Sequence, residues 1–203
     1  MGRTAFFVDG FNLFHSFDSE PAYHKYKWLN LAKLSQCFIG SKDTLSDVFY
    51  FTTYTTWDPR KLAKHQNYVK ALYLVGVKAI FGEFRNIERI CRICRKSYRT
   101  FEEKRTDVNI AIHLFQTAVA DTWDKAIIIS GDSDLIPAVE AVQKTFPSKQ
   151  VGIVIPIRRR AEELKQVADF YIKLKERHLE TCQFDDVIKI DHQQILKRPE
   201  TWR

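Results

Sequence analysis

Five short apolar runs set the terms for any fold this chain can adopt. TAFFVDG (4–10), DVFYFTTY (47–54), KAIFGEF (78–84), KAIIISG (125–131) and QVGIVIP (150–156) are each a few residues long and rich in β-branched or aromatic side chains. Runs this short, apolar at successive positions, suit strands buried on both faces. The stretches between them read as helices. PRKLAKHQNYVKALYLVG (59–76) opens on Pro and closes on Gly, the asymmetry that helix ends favour. TDVNIAIHLFQTAVADTW (106–123) offers Thr106 as a cap and Val108, Ile112, Phe115 and Val119 as an apolar face. WLNLAKLSQCFI (28–39) has apolar residues at 28, 31, 34 and 38, and DLIPAVEAVQKTF (134–146) places Pro137 in its first turn. Strands alternating with helices predict a parallel sheet covered on both sides.

The 203 residues contain no Pro/Gly/Ser-rich linker and no repeat, so one α/β domain is expected. No apolar run approaches the length needed to span a bilayer. MGRTAFFVDG lacks the apolar region of a secretory signal, and Phe6 stands where myristoylation wants Ser or Thr. A cytoplasmic protein is expected. Four cysteines, two of them in one C-x-x-C, do not make a disulfide framework at this length. The net charge of +7 favours an acidic partner, nucleic acid above all.

In open α/β sheets, sites form where strands end at their carboxyl side. Asp9 ends the first apolar run, Asp132 and Asp134 follow the run 126–130, and Asp107 opens the helix 106–123. Any one of them has a plain reading, as a helix cap worth about 1 kcal/mol or as a turn residue. Together they predict a carboxylate cluster at one sheet edge. Clustered carboxylates repel unless protons or a cation neutralise them. Hard divalent cations such as Mg²⁺ take oxygen ligands and bridge to phosphates. Carboxylates, a basic chain and no dedicated nucleophile point to metal-dependent hydrolysis of a phosphodiester.

FFVDGFNLFHSF, EEKRTDVNIAIHLF, AIIISGDSDLIPAV and VGIVIP…RRRAEELKQVADFYI resemble, in order, the sequence blocks of the NYN domain, a PIN-like ribonuclease family that includes LabA-like bacterial proteins. The resemblance covers roughly residues 3–174. It implies a three-layer α/β/α sandwich with a mostly parallel sheet, Rossmann-like in plan, and an acidic centre that binds Mg²⁺ or Mn²⁺ and cleaves RNA. It maps onto Asp9, Asp107, Asp132 and Asp134 as catalytic and metal-holding residues, with Asn12 to contact a phosphate or orient a carboxylate. Asp134 has the alternative of capping its helix. Cleavage by the implied mechanism leaves a 5′-phosphate and a 3′-hydroxyl. Ser130 and Ser133 flank the acidic pair as water-holding candidates, and Gly131 suits a close backbone approach to a ligand. One position departs from the family: a further Asp expected six residues after Asp107 is His113, either a softer ligand or a packed side chain.

The segment 82–105 is read as an insertion, with eight Lys or Arg against four Glu. Its Cys91-x-x-Cys94 is half a zinc site. Three readings stand: structural Zn²⁺ completed by remote ligands or by a partner chain in a homodimer, a redox pair, or two packed cysteines. Arg89, Arg92, Arg95 and Arg99 form one stripe if the segment is helical and decorate a loop otherwise. With Tyr98, Phe101, Lys104 and Arg105 they suit single-stranded RNA, by phosphate contact and base stacking. Arg158, Arg159 and Arg160, after the last apolar run, are further phosphate candidates, partly offset by Glu162 and Glu163. A domain over 1–182 is expected, followed by a tail (183–203) with one short β-like run and a frayed end.

Two enzyme classes fit poorly. A haloacid-dehalogenase-type phosphatase needs Asp-x-Asp at the first strand, where this chain has Asp9-Gly10-Phe11. A dinucleotide-binding fold needs a glycine-rich first turn, and DGFNLF has one Gly. The rival of a different class is a PIN-like RNA-binding or regulatory module with little catalysis, which the His113 substitution favours.

Overall fold

A computed structural model describes residues 2–190 and 195–203. Each apolar run becomes a strand of one sheet: β1 (Arg3–Asp9), β2 (Thr44–Thr52), β3 (Lys78–Phe81), β6 (Lys125–Ile129) and β7 (Gln150–Ile155). A sixth strand, β8 (Phe170–Lys173), adds to one edge, giving the order β3-β2-β1-β6-β7-β8. Every neighbouring pair in this sheet is parallel. Sequence reasoning missed β8 because an edge strand is half exposed and shows no apolar run.

Side chains alternate across β1, so Phe6 and Val8 enter one core while Ala5 and Phe7 enter the other. The first core lies under α2 (Leu31–Gln36) and α3 (Pro59–Leu74), with Leu31, Leu34, Val69 and Leu72 buried. The second lies under α4 (Thr106–Val119) and α5 (Ile136–Thr145), with Ile110, Leu114, Val139 and Val142 buried. This is the three-layer α/β/α sandwich that the sequence resemblance implied.

Several local expectations are corrected. The buried face of α4 is Thr106, Ile110, Leu114 and Ala118. Of the apolar face expected there, Val108 and Val119 are about 60% exposed (59% and 61%), with Ile112 also at the surface. The i, i+4 row that meets the sheet ends in a threonine and an alanine, which the eye passes over in favour of larger neighbours. Thr106 does not cap α4. Arg105, left-handed at φ 78°, precedes the helix, and the Thr106 N–H is taken by Glu103 instead (3.1 Å). The helix expected over 28–39 shrinks to α2, because Asn30 caps it at Lys33 N–H and Leu29 bridges to Gln183.

The insertion is neither helix nor loop. It is an antiparallel hairpin of β4 (Glu83–Ile90) and β5 (Ser97–Lys104), paired in register from Glu83↔Lys104 to Ile90↔Ser97. The expected arginine stripe therefore does not form. Arg89 sits opposite Tyr98 and Arg99 opposite Glu88, so the two arginines project from opposite faces, while Arg92 and Arg95 lie in the tip.

The end of the chain is not frayed. Trp202 is buried and lies 6.3 Å from the Trp28 ring, and Trp28 donates its indole N–H to the Asp185 carbonyl (2.9 Å). A small ladder of β9 (Val187–Lys189) and β10 (Ile195–Lys197) stands apart from the main sheet.

Candidate metal centre

The acidic cluster starts from a local rule. An aspartate at the end of a strand, just before a helix, satisfies that helix's free N–H groups. Asp9 does so for α1 (Gly10–Asp18), accepting from Asn12 N–H (2.9 Å). Gly10 is required next to it. A Cβ there would sit 2.5 Å from the Phe51 carbonyl and 2.8 Å from the Tyr50 ring. Asp132 does the same after β6, accepting from Asp134 N–H (3.0 Å) at the head of a short 3₁₀ turn (Ser133–Leu135). The cap of that turn is thus Asp132, not Asp134.

The neighbouring strand ends are tied together. Ser130 donates to the second oxygen of Asp9 (2.8 Å) and accepts from Asp132 N–H (3.1 Å). The Asn12 side chain accepts from Gly131 N–H (3.1 Å). Asn12 and Ser130 are therefore already engaged in bracing the site. Gly131 makes a close backbone approach, but to the chain rather than to a ligand: a Cβ there would lie 2.9 Å from the Arg160 carbonyl.

Asp9, Asp107 and Asp132 each offer a carboxylate oxygen, and the three oxygens lie within 4.8 Å of one another. Asp9 is 3% exposed. Burial pushes its carboxyl above the usual range, against the bonds from Asn12 and Ser130, and the nearby charges of Asp132 and Glu103 add to the rise. Asp107 is pushed up to about 6 by burial and by the charges of Asp9, Asp132, Glu103 and Asp134. Carboxylates crowded to this degree resist ionising until a cation arrives, and an all-oxygen donor set is the kind that hard divalent cations take. The residues fit such an ion.

Of the expected residues, Asp134 is exposed and outside this trio, although its charge reaches Asp107. Ser133, the other water-holding candidate, is exposed on the same turn. His113 is a packed side chain. It donates to the Asn109 carbonyl (2.9 Å) and lies against Phe49 and Phe51, with ring centroids 6.1 and 5.4 Å away. Glu103 was missed. It accepts from both the N–H and the hydroxyl of Thr106, and its charge is felt by Asp9 and Asp107. Only the hairpin pairing of Glu103 with Phe84 brings it there, and nothing in the sequence signals that pairing.

The basic residues fall into two groups. Arg89 and Lys104 pair with Glu102, and Arg85 and Arg105 pair with Glu83. Arg92, Arg95 and Arg99 are exposed and carry no ion pair among the described residues. Arg158 and Arg159 border a cleft of about 400 Å³ with His15, Ser16, Asp18 and Ser19, and Arg158 is held by Glu20 (3.0 Å). At the hairpin tip Cys91 is half-buried and Cys94 exposed, so neither is buried in a core, and the zinc and redox readings stand. Remote completion by the other cysteines fails, because Cys37 and Cys182 contact each other (Sγ–Sγ 3.4 Å).

A family model for the NYN domain matches residues 3–175. The chain belongs to the NYN domain family. NYN domains are PIN-like nucleases that generally depend on divalent metal, and the Asp9–Asp107–Asp132 cluster fits that chemistry. The chain is also 22% identical, over 98% of its length and 75% of the relative's, to 6-hydroxy-3-succinoylpyridine 3-monooxygenase HspA of Pseudomonas putida. Its fold resembles the crystal structure of VPA0982, a protein of unknown function from Vibrio parahaemolyticus, with a TM-score of 0.61 at 18% identity, covering 86% of this NYN chain and 94% of that one. Among the described residues, no helix is long and apolar enough to cross a membrane.

Proposed function

We propose that this NYN domain is a ribonuclease that hydrolyses single-stranded RNA with Mg²⁺ or Mn²⁺. The observation that carries the reading is the convergence of Asp9, Asp107 and Asp132 at the carboxyl edge of a parallel sheet. Asp9, Asp107 and Asp132 hold the ion, Asp134 and Glu103 add negative charge at the rim, and Asn12 and Ser130 keep the strand ends in register. A bound divalent cation supplies Lewis acidity and neutralises the phosphate that approaches. Phosphate affinity comes from the flanking cations, Arg158 to Arg160 on one side and Arg92, Arg95 and Arg99 on the other. In-line hydrolysis leaves a 5′-phosphate and a 3′-hydroxyl.

Cleavage of a single-stranded RNA by the purified chain in Mn²⁺ or Mg²⁺, abolished by EDTA, tests the reading. RNA bound but never cut in either metal favours the binding-module rival. A second reading draws on the HspA likeness: a small aromatic substrate rather than RNA. What favours it is an aromatic-walled cavity of about 680 Å³ that shares Glu103 with the acidic surroundings.

A further inference from the structure

That cavity is lined by α1, by the end of β2 and the connection after it, by α3 and by the β4–β5 hairpin. Trp57, in the connection after β2, stacks on Phe101 of β5 with centroids 3.6 Å apart and planes at 8°. It also meets Phe84 of β4 edge-on at 4.7 Å, and Phe84 meets Phe11 of α1 at 5.5 Å and 90°. One continuous run of rings thus leads from the hairpin to the first turn of the helix that Asp9 caps. Strand alternation explains its composition. Phe84, Glu103, Phe101 and Arg99 share one face of the hairpin, so the side that presents rings to the cavity continues toward the tip into Arg99, which carries no ion pair among the described residues.

Two further features call for a ligand of mixed character. Trp57 is 41% and Phe101 38% exposed, so ring surface is left open on the cavity wall. Lys61 and Lys64, three residues apart on α3 and so on one helix face, border the cavity as well. A flat aromatic surface with flanking cations matches a nucleotide: a planar ring joined to a phosphate.

We propose that this cavity is a base-holding subsite, in which one unpaired nucleobase of single-stranded RNA packs against the Trp57–Phe84–Phe101 wall. Lys61 and Lys64 take the adjoining phosphate. Glu103, common to the cavity wall and to the surroundings of Asp9 and Asp107, marks the short path from the held base to the acidic centre. The inference rests on the ribonuclease reading and sharpens it. A duplex cannot offer an unstacked base, so it is excluded from the subsite by geometry rather than by charge.

The test is binding of a single-stranded RNA in EDTA, where nothing is cut, to the parent chain and to two variants. Trp57→Ala is expected to raise Kd about tenfold, the usual cost of losing one aromatic stacking partner, with Trp57→Phe restoring most of it. The decisive comparison is an abasic scan. One abasic position should weaken the parent by the same factor as Trp57→Ala, and should cost the Trp57→Ala variant nothing further. The proposal is overturned if abasic and Trp57→Ala effects simply multiply at every position, or if duplex binds as tightly as single strand. It is overturned too if RNA binding ignores Trp57 while a free pyridine compound quenches Trp57 fluorescence. The outcomes separate from those of the nuclease reading: base-sensitive binding without metal-dependent cutting leaves the subsite standing and removes the chemistry, and cutting without base sensitivity does the reverse.

Discussion

The acidic centre and the β4–β5 hairpin stand side by side, yet different forces hold them in place. The centre is set by the interior of the sheet. Asp9 ends β1 and Asp132 follows β6, and these neighbouring strands pair as Val8↔Ile129. Their positions follow from strand length, and caps and the Ser130 and Asn12 bonds lock the remainder. The hairpin has no such interior. It is pinned by Trp57 and Phe11 at its base, carries surface ion pairs along its strands, and ends in a tip where Ile93 is 95% exposed. Surface ion pairs contribute little to stability, so a basic partner set of this kind can exchange Glu83 and Glu102 for phosphate at small cost. The centre is built for position and the hairpin for contact.

The sharpest way to break this contrast is Asp132→Asn. It preserves the cap oxygen at Asp134 N–H and removes one charge of the trio, so metal-dependent RNA cleavage should fall by about 10²–10³-fold while RNA affinity holds or improves. Asp9→Asn should abolish cleavage too, but it is the less clean variant. The Asn amide would face the Ser130 hydroxyl that now donates to Asp9, so some stability loss is expected alongside. Cleavage at the parental rate by purified, folded Asp132→Asn would refute the assignment of the centre.

A smaller effect is expected from the cations. Each phosphate contact on a single strand contributes about −0.7 to the log–log salt slope. Neutralising Arg92, Arg95 and Arg99 together should make the slope shallower by about 2, as should neutralising Arg158, Arg159 and Arg160. Neither change should alter the cleavage rate at saturating RNA. If one triple variant keeps the parental affinity and slope, the RNA path runs along the other side of the centre only.

These expectations also mark what the sequence could and could not tell. The main strands, the parallel sheet and the acidic trio were legible because each rests on a local rule: an apolar run for a buried strand, an aspartate where it stops. Glu103 and Trp57 were not legible, because their places depend on the hairpin: Glu103 pairs with Phe84 across 19 residues and Trp57 stacks on Phe101 across 44. Arg89 and Arg99 were misjudged for the same reason, since helical spacing was weighed where a hairpin sends them to opposite faces. The face of α4 was misread because the row that meets the sheet, Thr106, Ile110, Leu114 and Ala118, ends in two small residues.

The tip offers a more local test. Cys91 and Cys94 supply two thiols, half of a structural zinc site, and the other two cysteines are engaged with each other. If two copies pool these thiols in one zinc site, zinc content and dimerisation should rise and fall together. Cys91→Ser should remove both and leave metal-dependent cleavage at the acidic centre intact. Stoichiometric zinc in a monomeric chain, by mass spectrometry and sedimentation, would rule out the shared site.

The smallest expected effect tests whether the centre is strained without metal. Asp107 titrates near 6 rather than at the ordinary 3.8, because it is half-buried among like charges. A carboxyl whose folded pKa is raised binds its proton more tightly in the folded state. Its contribution to stability is full below about pH 4 and is lost as pH rises through 6. The full shift would correspond to roughly 3 kcal/mol. With half the side chain in solvent, screening cuts this to about 1 kcal/mol. In EDTA at pH 7, Asp107→Asn should therefore be more stable than the parent by about that amount, and the gap should close at pH 4. Adding Mn²⁺ should reverse the order, since the parent gains binding free energy that the variant lacks one ligand to claim. Urea unfolding at the two pH values, with and without metal, reads all of this. If Asp107→Asn is less stable than the parent in EDTA at pH 7, the carboxylate is serving the fold rather than waiting for an ion, and the contrast between a strained centre and a relaxed hairpin fails.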